Sequence, residues 1–251
     1  MRTILITGAS GGIAQAMVPL LTDDFLILLG RNVEKIEALY SQHSNKVVYG
    51  IDMTDEASIA NLVEKIYQDY GQIDVLVNNA GYAIYDDFEQ FSDEQVRDMF
   101  DVNLFALMSF CRHVGKRMKK IKSGHIINIV SMSGKMATAK SSVYSATKFA
   151  ALGFSDTIRL ELAPYQVGVT TVNPGPVATS FFDQADPDGS YQKSVKSFLI
   201  QPEVVAKKIV AAMGTKKREI NLPFILNVAH KFYTVFPTIS DYLARTIFNY
   251  K

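Results

Sequence analysis

The chain has 251 residues, 48% of them hydrophobic, which is enough for one substantial core and fits a single large α/β domain. Its 26 lysines and arginines against 25 aspartates and glutamates leave a formal charge of +1, so no global attraction to nucleic acid is expected. The one cysteine, Cys111, excludes an intrachain disulfide framework and a multi-cysteine metal site.

Cys111 lies in the apolar run L-M-S-F-C-R-H and reads as a buried small side chain. The N-terminal run M-R-T-I-L-I-T-G enters structure at once, without a signal-like stretch, and makes the cytoplasm the expected location.

Thr3–Thr7 is a β-branched-rich run and predicts a central parallel strand. It delivers Gly8, Ala9, Ser10, Gly11, Gly12, Ile13 and Ala14, followed by an apolar helical segment to about Leu21. The glycines permit a tight turn and close approach of a ligand. The helix that follows aims unpaired amides and its positive end at that ligand, an arrangement suited to a pyrophosphate.

Phe25–Leu29 predicts the second strand and Val33–Tyr40 the next helix. In a dinucleotide fold the end of this strand meets the adenosine ribose, where an acid would bind the two hydroxyls of NAD. Here Gly30 is followed by Arg31, a cation that suits the extra phosphate of NADP. NADP(H) is therefore the expected cofactor, ahead of NAD. Lys46–Ile51 predicts the third strand, and Asp52 and Met53 follow it. Thr54 or Asp55 can cap a helix running toward Tyr70, and Ile73–Val77 predicts the fourth strand. Asn78, Asn79, Ala80 and Gly81 form a small turn in which asparagine amides can bond strand-end backbone.

Ser92–Gln95 looks like a helix start, and Phe100–Met118 carries a long apolar helical pattern. Asn103 interrupts that apolar face and must be hydrogen-bonded there, as a structural brace or as a site residue. The basic cluster at its end, Lys116 to Lys122, reads as a solvated helix terminus favoured by the dipole. His125–Val130 predicts the fifth strand, with Ser131 at its end and a small, flexible segment Met132–Ser142 turning back over the sheet.

Val143–Pro164 predicts a helix of about five turns, stopped by Pro164. Tyr144 and Lys148 lie four residues apart on one face, with Cβ atoms about 5–6 Å apart. An ammonium beside a phenol favours the phenolate, so Tyr144 is expected to have a lowered pKa. Gly168–Val172 predicts the sixth strand, leading to the rigid turn Asn173-Pro174-Gly175-Pro176 at the mouth of a cleft. Val177–Ile200 has no long period and is expected to form a substrate lid. Pro202 opens a helix reaching Met213, and Lys217–Leu222 predicts an edge strand.

The tail, Pro223–Lys251, is apolar and aromatic and is divided by Pro237. Neither half reaches the roughly 20 apolar residues of a spanning helix. It reads as two short helices over the cleft or at a subunit interface, or as a surface for weak peripheral membrane contact through residues 223–250. The four histidines have no metal-ligand spacing, and no metal is expected.

Taken together, T-G-A-S-G-G-I-A at 7–14, N-N-A-G at 78–81, Asn103, Ser131, Y-S-A-T-K at 144–148 and N-P-G at 173–175 resemble the short-chain dehydrogenase/reductase family over roughly residues 1–222. The resemblance implies a Rossmann-like, three-layer, doubly wound parallel sheet, with residues 223–251 as a helical extension. It implies an NAD(P)(H)-dependent oxidoreductase interconverting a small-molecule carbonyl and an alcohol. Tyr144 would be the general acid or base, and Lys148 would lower its pKa and hold the nicotinamide ribose. Ser131 would bond the substrate oxygen, and Asn103 would hold a water linking Lys148 to solvent. The loop Gly8, Ser10, Gly11, Gly12 and Ile13 would meet the phosphates. Asp52 and Met53 would meet the adenine, and Asn79, Ala80 and Gly81 would shape the adenosine side. Pro174, Gly175, Val177 and Thr179 would surround the nicotinamide. A homodimer or homotetramer built from the helices around Asn103 and Tyr144 is implied as well. One departure is Ala14, where the family pattern usually has glycine; one methyl there is either tolerated or pushes the helix off the pyrophosphate and alters affinity. The aromatic tail with Phe181 and Phe182 points to an apolar substrate or, equally, to an interface or core packing. A non-catalytic NADP-binding regulatory or scaffold protein is the alternative, and the intact Ser131, Tyr144 and Lys148 set argues against it.

Overall fold

In the computed structural model, which describes residues 1–187 and 189–246, seven parallel strands form one sheet in the order β3-β2-β1-β4-β5-β6-β7. They are β1 (Thr3–Thr7), β2 (Phe25–Gly30), β3 (Lys46–Gly50), β4 (Val75–Asn78), β5 (His125–Ile129), β6 (Gly168–Pro174) and β7 (Glu219–Leu222). The central strands are buried on both faces, with Ile4, Leu5 and Ile6 fully covered, which is why they read as unbroken apolar runs rather than alternating ones.

Helices cover both faces. On one side α1 (Gly12–Met17), α2 (Val33–Leu39) and α9 (Pro202–Ala212) contribute Ala14, Met17, Ile36, Val205 and Ile209 to one core. On the other, α3 (Glu56–Tyr70), α5 (Ala106–Ile121) and α6 (Ser142–Leu162) contribute Ile59, Val63, Phe110, Val114 and Ala151 to a second. The three-layer, doubly wound expectation holds. Asp55 is the residue that caps α3, its carboxylate accepting from the Ser58 amide. Cys111 is buried, with burial pushing its thiol up to about 12, and it accepts from Asn78 Nδ2.

Several boundaries shift from the sequence reading, β6 among them, which runs on through Asn173 to Pro174; three shifts have a visible cause. β4 begins at Val75 and takes in Asn78, because its partner β1 sets Ile4 opposite Val75. β7 begins at Glu219, since the Lys217 carbonyl is taken by the Thr170 hydroxyl instead of extending the ladder. The helix expected over Phe100–Met118 is interrupted: α4 (Asp93–Phe100), started by a capping box between Ser92 and Gln95, passes through a π turn at Asp101–Phe105 into α5. Such a turn places one extra residue in the helix and commonly marks a functional position.

The chain runs outward from β1 through β2 to β3, then returns to the far side of β1 with β4. At this reversal the loops after β1 and β4 part and open a crevice at the carboxyl ends of the strands. The segment expected as a lid holds α7 (Phe181–Ala185) and α8 (Ser190–Ser194), and a bridge between Val177 and Ile200 closes its base. The tail forms α10 (Phe224–Val235) and α11 (Pro237–Thr246), divided at Pro237 as predicted; residues 247–251 lie outside the described residues. Among the described residues no helix is long and apolar enough to cross a membrane.

Candidate active site

A cleft of about 1110 Å³ occupies that crevice. Its floor begins at Gly8, whose φ of +63° disfavours any side chain and where an added Cβ would stand 2.7 Å from Ala80 Cα. The two loops are tied together there. Asn79 Nδ2 donates to the Gly8 carbonyl at 2.9 Å, and the Thr7 hydroxyl accepts from the amides of Asn79 and Ala80, both at 3.0 Å. Thr7 is a brace that sequence reasoning missed, although it stands in the same run as the glycines.

Ser10, Gly11, Gly12 and Ile13 line the cleft beside Gly8, and no side chain caps the start of α1. The Gly11 amide donates to the Gly8 carbonyl at 3.0 Å, whereas no side chain claims the amides of Gly12 and Ile13 at the start of α1, which can meet an anionic ligand. Thr179 lies over Gly12, where a Cβ would meet its methyl at 2.4 Å. Ala14 is fully buried in the core beneath α1 and does not line the cleft. Its side chain lies on the core side of α1, which favours the tolerated reading of this position.

Farther along the rim, Arg31 and Asp52 line the same edge with Met53. Asp52 is held below the usual carboxylate range by the amide and hydroxyl of Thr54, with the charge of Arg31 adding to the effect. Arg31 is exposed, with its charge on the cleft edge. Asn79, Ala80 and Gly81 form the wall opposite, and Pro174, Gly175 and Val177 the wall after β6.

Ser131, Tyr144 and Lys148 converge at the centre. Ser131 lies two residues past β5, its hydroxyl accepting from the Ser133 amide at 3.0 Å; Tyr144 and Lys148 lie in the first two turns of α6. Gly134 lets this loop press on α6, since a Cβ there would stand 2.7 Å from the Lys148 carbonyl oxygen. All three side chains are almost fully buried. Lys148 Nζ donates to the Ile129 carbonyl at 3.2 Å and stands 5.7 Å from the centre of the Tyr144 ring.

The protonation states differ from the sequence reading. Burial pushes the Tyr144 phenol up to about 12, against a smaller downward pull from its hydrogen bond with Ser131. Burial also lowers Lys148 to about 8. The expected lowering of Tyr144 by Lys148 is not present in the protein alone, because desolvation of both charged forms outweighs their attraction. At neutral pH Tyr144 is a neutral phenol, a proton donor.

Asn103 is the one sequence-predicted site residue that does not line the cleft. It sits in the π turn with 1% exposure. Its Oδ1 accepts from the Tyr82 amide at 2.9 Å, and its Nδ2 donates to the Tyr82 carbonyl at 2.9 Å and to the Thr147 hydroxyl at 3.2 Å. The side chain is thus a brace between α5, α6 and the loop after β4, and its amide protons are spent. Sequence reasoning also missed Tyr85 and Tyr191, which join Phe181, Phe182 and Tyr144 in an aromatic cluster. Their only signal was a tyrosine in each of two loops. On the outer side α10 and α11 complete the wall, so the tail lies over the cleft.

Residues 2–189 match the family model described as short chain dehydrogenase. A 3-ketodihydrosphingosine reductase from Bacteroides thetaiotaomicron is 30% identical, with 99% of this chain and 96% of that protein covered. Among solved structures, a short-chain dehydrogenase from Streptomyces avermitilis superposes with a TM-score of 0.79 at 25% identity, covering 96% of this chain and 97% of the other. ElxO, solved with NADP bound, gives a TM-score of 0.79 at 27% identity, covering 88% and 97%. The chain belongs to the short-chain dehydrogenase family of NAD(P)-dependent oxidoreductases.

Proposed function

We propose that the protein is an NADP(H)-dependent oxidoreductase that interconverts a carbonyl and an alcohol, on an apolar substrate. The observation that carries this reading is the convergence of Ser131, Tyr144 and Lys148 on the cleft whose floor is the glycine loop after β1. The fit to the cofactor rests on the tight Gly8–Ala80 approach, the uncapped start of α1 and the cation at Arg31. ElxO, the relative with NADP bound, supports the same cofactor. Gly8 to Ile13 would hold the phosphates, Arg31 the additional phosphate, Asp52 and Met53 the adenine, Asn79 to Gly81 the adenosine side, and Pro174, Gly175, Val177 and Thr179 the nicotinamide end.

When bound, NADPH supplies the hydride. The chain supplies the rest. Ser131 donates to the substrate oxygen and Tyr144 Oη gives it a proton, so the negative charge that develops there is met by two prepared donors. Lys148, the nearest cation, favours the tyrosinate left behind, and a proton from solvent then restores the phenol. In the opposite direction the same phenolate accepts the proton of an alcohol. The neutral phenol of Tyr144 in the protein alone is the form that donates a proton in the reduction direction. Asn103 acts as a positioning residue, holding the Tyr82 loop. The apolar substrate is supported by the aromatic cluster around Tyr144.

Assembly as a homodimer or homotetramer is supported by exposed Phe105, Phe149 and Leu160 on the helical layer that carries Asn103 and Tyr144. The test of function is NADPH consumption with medium-chain ketones and aldehydes. NADPH-dependent reduction, with NADH at least tenfold less effective, supports the reading. Tight NADPH binding without reduction of any carbonyl, and without oxidation of the matching alcohols, would favour a nucleotide-binding scaffold.

A further inference from the structure

We propose that the substrate carries a long, unbranched hydrocarbon chain and that this chain lies along one face of α10, leading from Tyr144 to the outer mouth of the cleft. The proposal rests on the carbonyl–alcohol reading above and names the class of molecule that reading would serve. Ile225, Val228, Ala229 and Phe232 follow one another at helical spacing i, i+3, i+4 and i+7. That stripe is the pattern by which a surface helix normally seats itself on a core. Here it lines the cleft instead, and Ile225, Val228 and Phe232 remain 56%, 46% and 42% exposed. A core-type face without a core on it is suited to a mobile apolar occupant.

The stripe is continuous with the reacting centre. Leu226, the neighbour of Ile225, reaches Gly175, where an added Cβ would stand 2.6 Å from Leu226 Cδ1. Phe181 and Phe182 form the facing wall, and Phe181 stands 6.0 Å from the Tyr144 ring, centre to centre. Charge sorts the cleft into two halves. Its charged lining residues are Arg31, Asp52, Asp98 and Lys148; from Pro174 to Ala244 the described lining carries none. A phosphorylated or carboxylated substrate body would have no charged partner there. The stripe is one helix face wide and about 10 Å long at 1.5 Å per residue, a shape for a chain rather than for a broad ring system.

The fold fixes α10 in this position. Asn221 Nδ2 donates to Asn227 Oδ1 at 2.8 Å, the Gly175 amide donates to the Leu222 carbonyl at 2.6 Å, and His230 Nδ1 meets the Lys135 carbonyl at 3.1 Å. The stripe is therefore held open toward the cleft by polar contacts at its other side, and its apolar residues are left for the substrate.

The experiment is a ladder of methyl n-alkyl ketones, from butan-2-one to tetradecan-2-one, measured for kcat/KM with NADPH and, separately, for binding to the NADPH-loaded protein by calorimetry. Each methylene buried should raise kcat/KM and binding about fourfold, until the chain passes the mouth and the gain stops. Val228→Asp should flatten that slope, while Val235→Asp, exposed on α10 outside the cleft lining, should leave it unchanged. A flat ladder with short ketones still reduced would overturn the hydrocarbon subsite and leave the oxidoreductase reading intact. A binding ladder with no turnover would support the subsite and sink the assigned reaction. Unchanged slopes in Val228→Asp together with loss of a dimer would assign the stripe to an interface between copies and overturn the proposal.

Discussion

Asn103→Ala separates a brace from a catalytic group. The wild-type amide makes three hydrogen bonds in a position only 1% exposed: one from the Tyr82 amide, one to the Tyr82 carbonyl and one to the Thr147 hydroxyl. Thr147 keeps a second partner, since its hydroxyl also donates to the Tyr144 carbonyl at 2.7 Å. Truncation therefore strands chiefly the two backbone groups of Tyr82. Each stranded buried group costs about 1–3 kcal/mol, and Tyr82 is only half-buried, so water relieves part of that. The expected loss is about 2–4 kcal/mol. For a chain of this size that lowers Tm by about 5–15 °C. Asn103 Oδ1 and Lys148 Nζ both stand close to Gly81, where an added Cβ would meet them at 3.0 and 3.4 Å, so the same shift should loosen the loop against the cleft and weaken NADPH binding. Thermal unfolding with and without NADPH reads both effects. A variant within 2 °C of wild type that has lost turnover would refute the brace and restore a direct role for Asn103 in proton movement.

Two further perturbations address the rim and the buried charge. Arg31→Ala should weaken NADPH binding about 10- to 100-fold, the worth of a charge-assisted contact, leave NADH binding within twofold, and remove most of the salt dependence of NADPH affinity; equal losses for both cofactors would show Arg31 to be structural. Lys148 is a lysine with a depressed folded pKa, about 8, so it opposes folding below that pH and ceases to do so as pH rises toward its unfolded value near 10.5. Lys148→Met should therefore stabilise the cofactor-free protein by about 1–3 kcal/mol at pH 7, with the difference from wild type shrinking between pH 8 and 10.5; a destabilised variant at pH 7 would mean that the bond to the Ile129 carbonyl outweighs desolvation.

Most of what positions the cleft was written locally. The strand runs from Thr3 and Phe25, the glycine cluster after Thr7 and the four-residue spacing of Tyr144 and Lys148 each depend on neighbours close in sequence, and each stands where expected. What failed depended on distance. The π turn at Asp101–Phe105 keeps the apolar period of its surroundings, so only the packing of Asn103 against Tyr82 exposes it. The pKa of Tyr144 was read from its neighbour Lys148, whereas burial by α7, α8 and the Tyr85 loop decides it. Pro237 divided the tail legibly, but which face of α10 meets the cleft depends on the bond of Asn227 to nearby Asn221 and on the contact of His230 with Lys135, which is far from it in sequence. Ala14 shows the same limit, since its orientation is set by the core under α1.

The central claim is that Tyr144 carries the proton for a reaction run on a bound nicotinamide. The most direct measurement is NADPH affinity and single-turnover reduction of an apolar ketone by wild type and Tyr144→Phe, side by side. The account predicts cofactor affinity within about threefold and a reduction rate lower by about 100-fold or more, the range of general acid catalysis. Unimpaired reduction by Tyr144→Phe would contradict it.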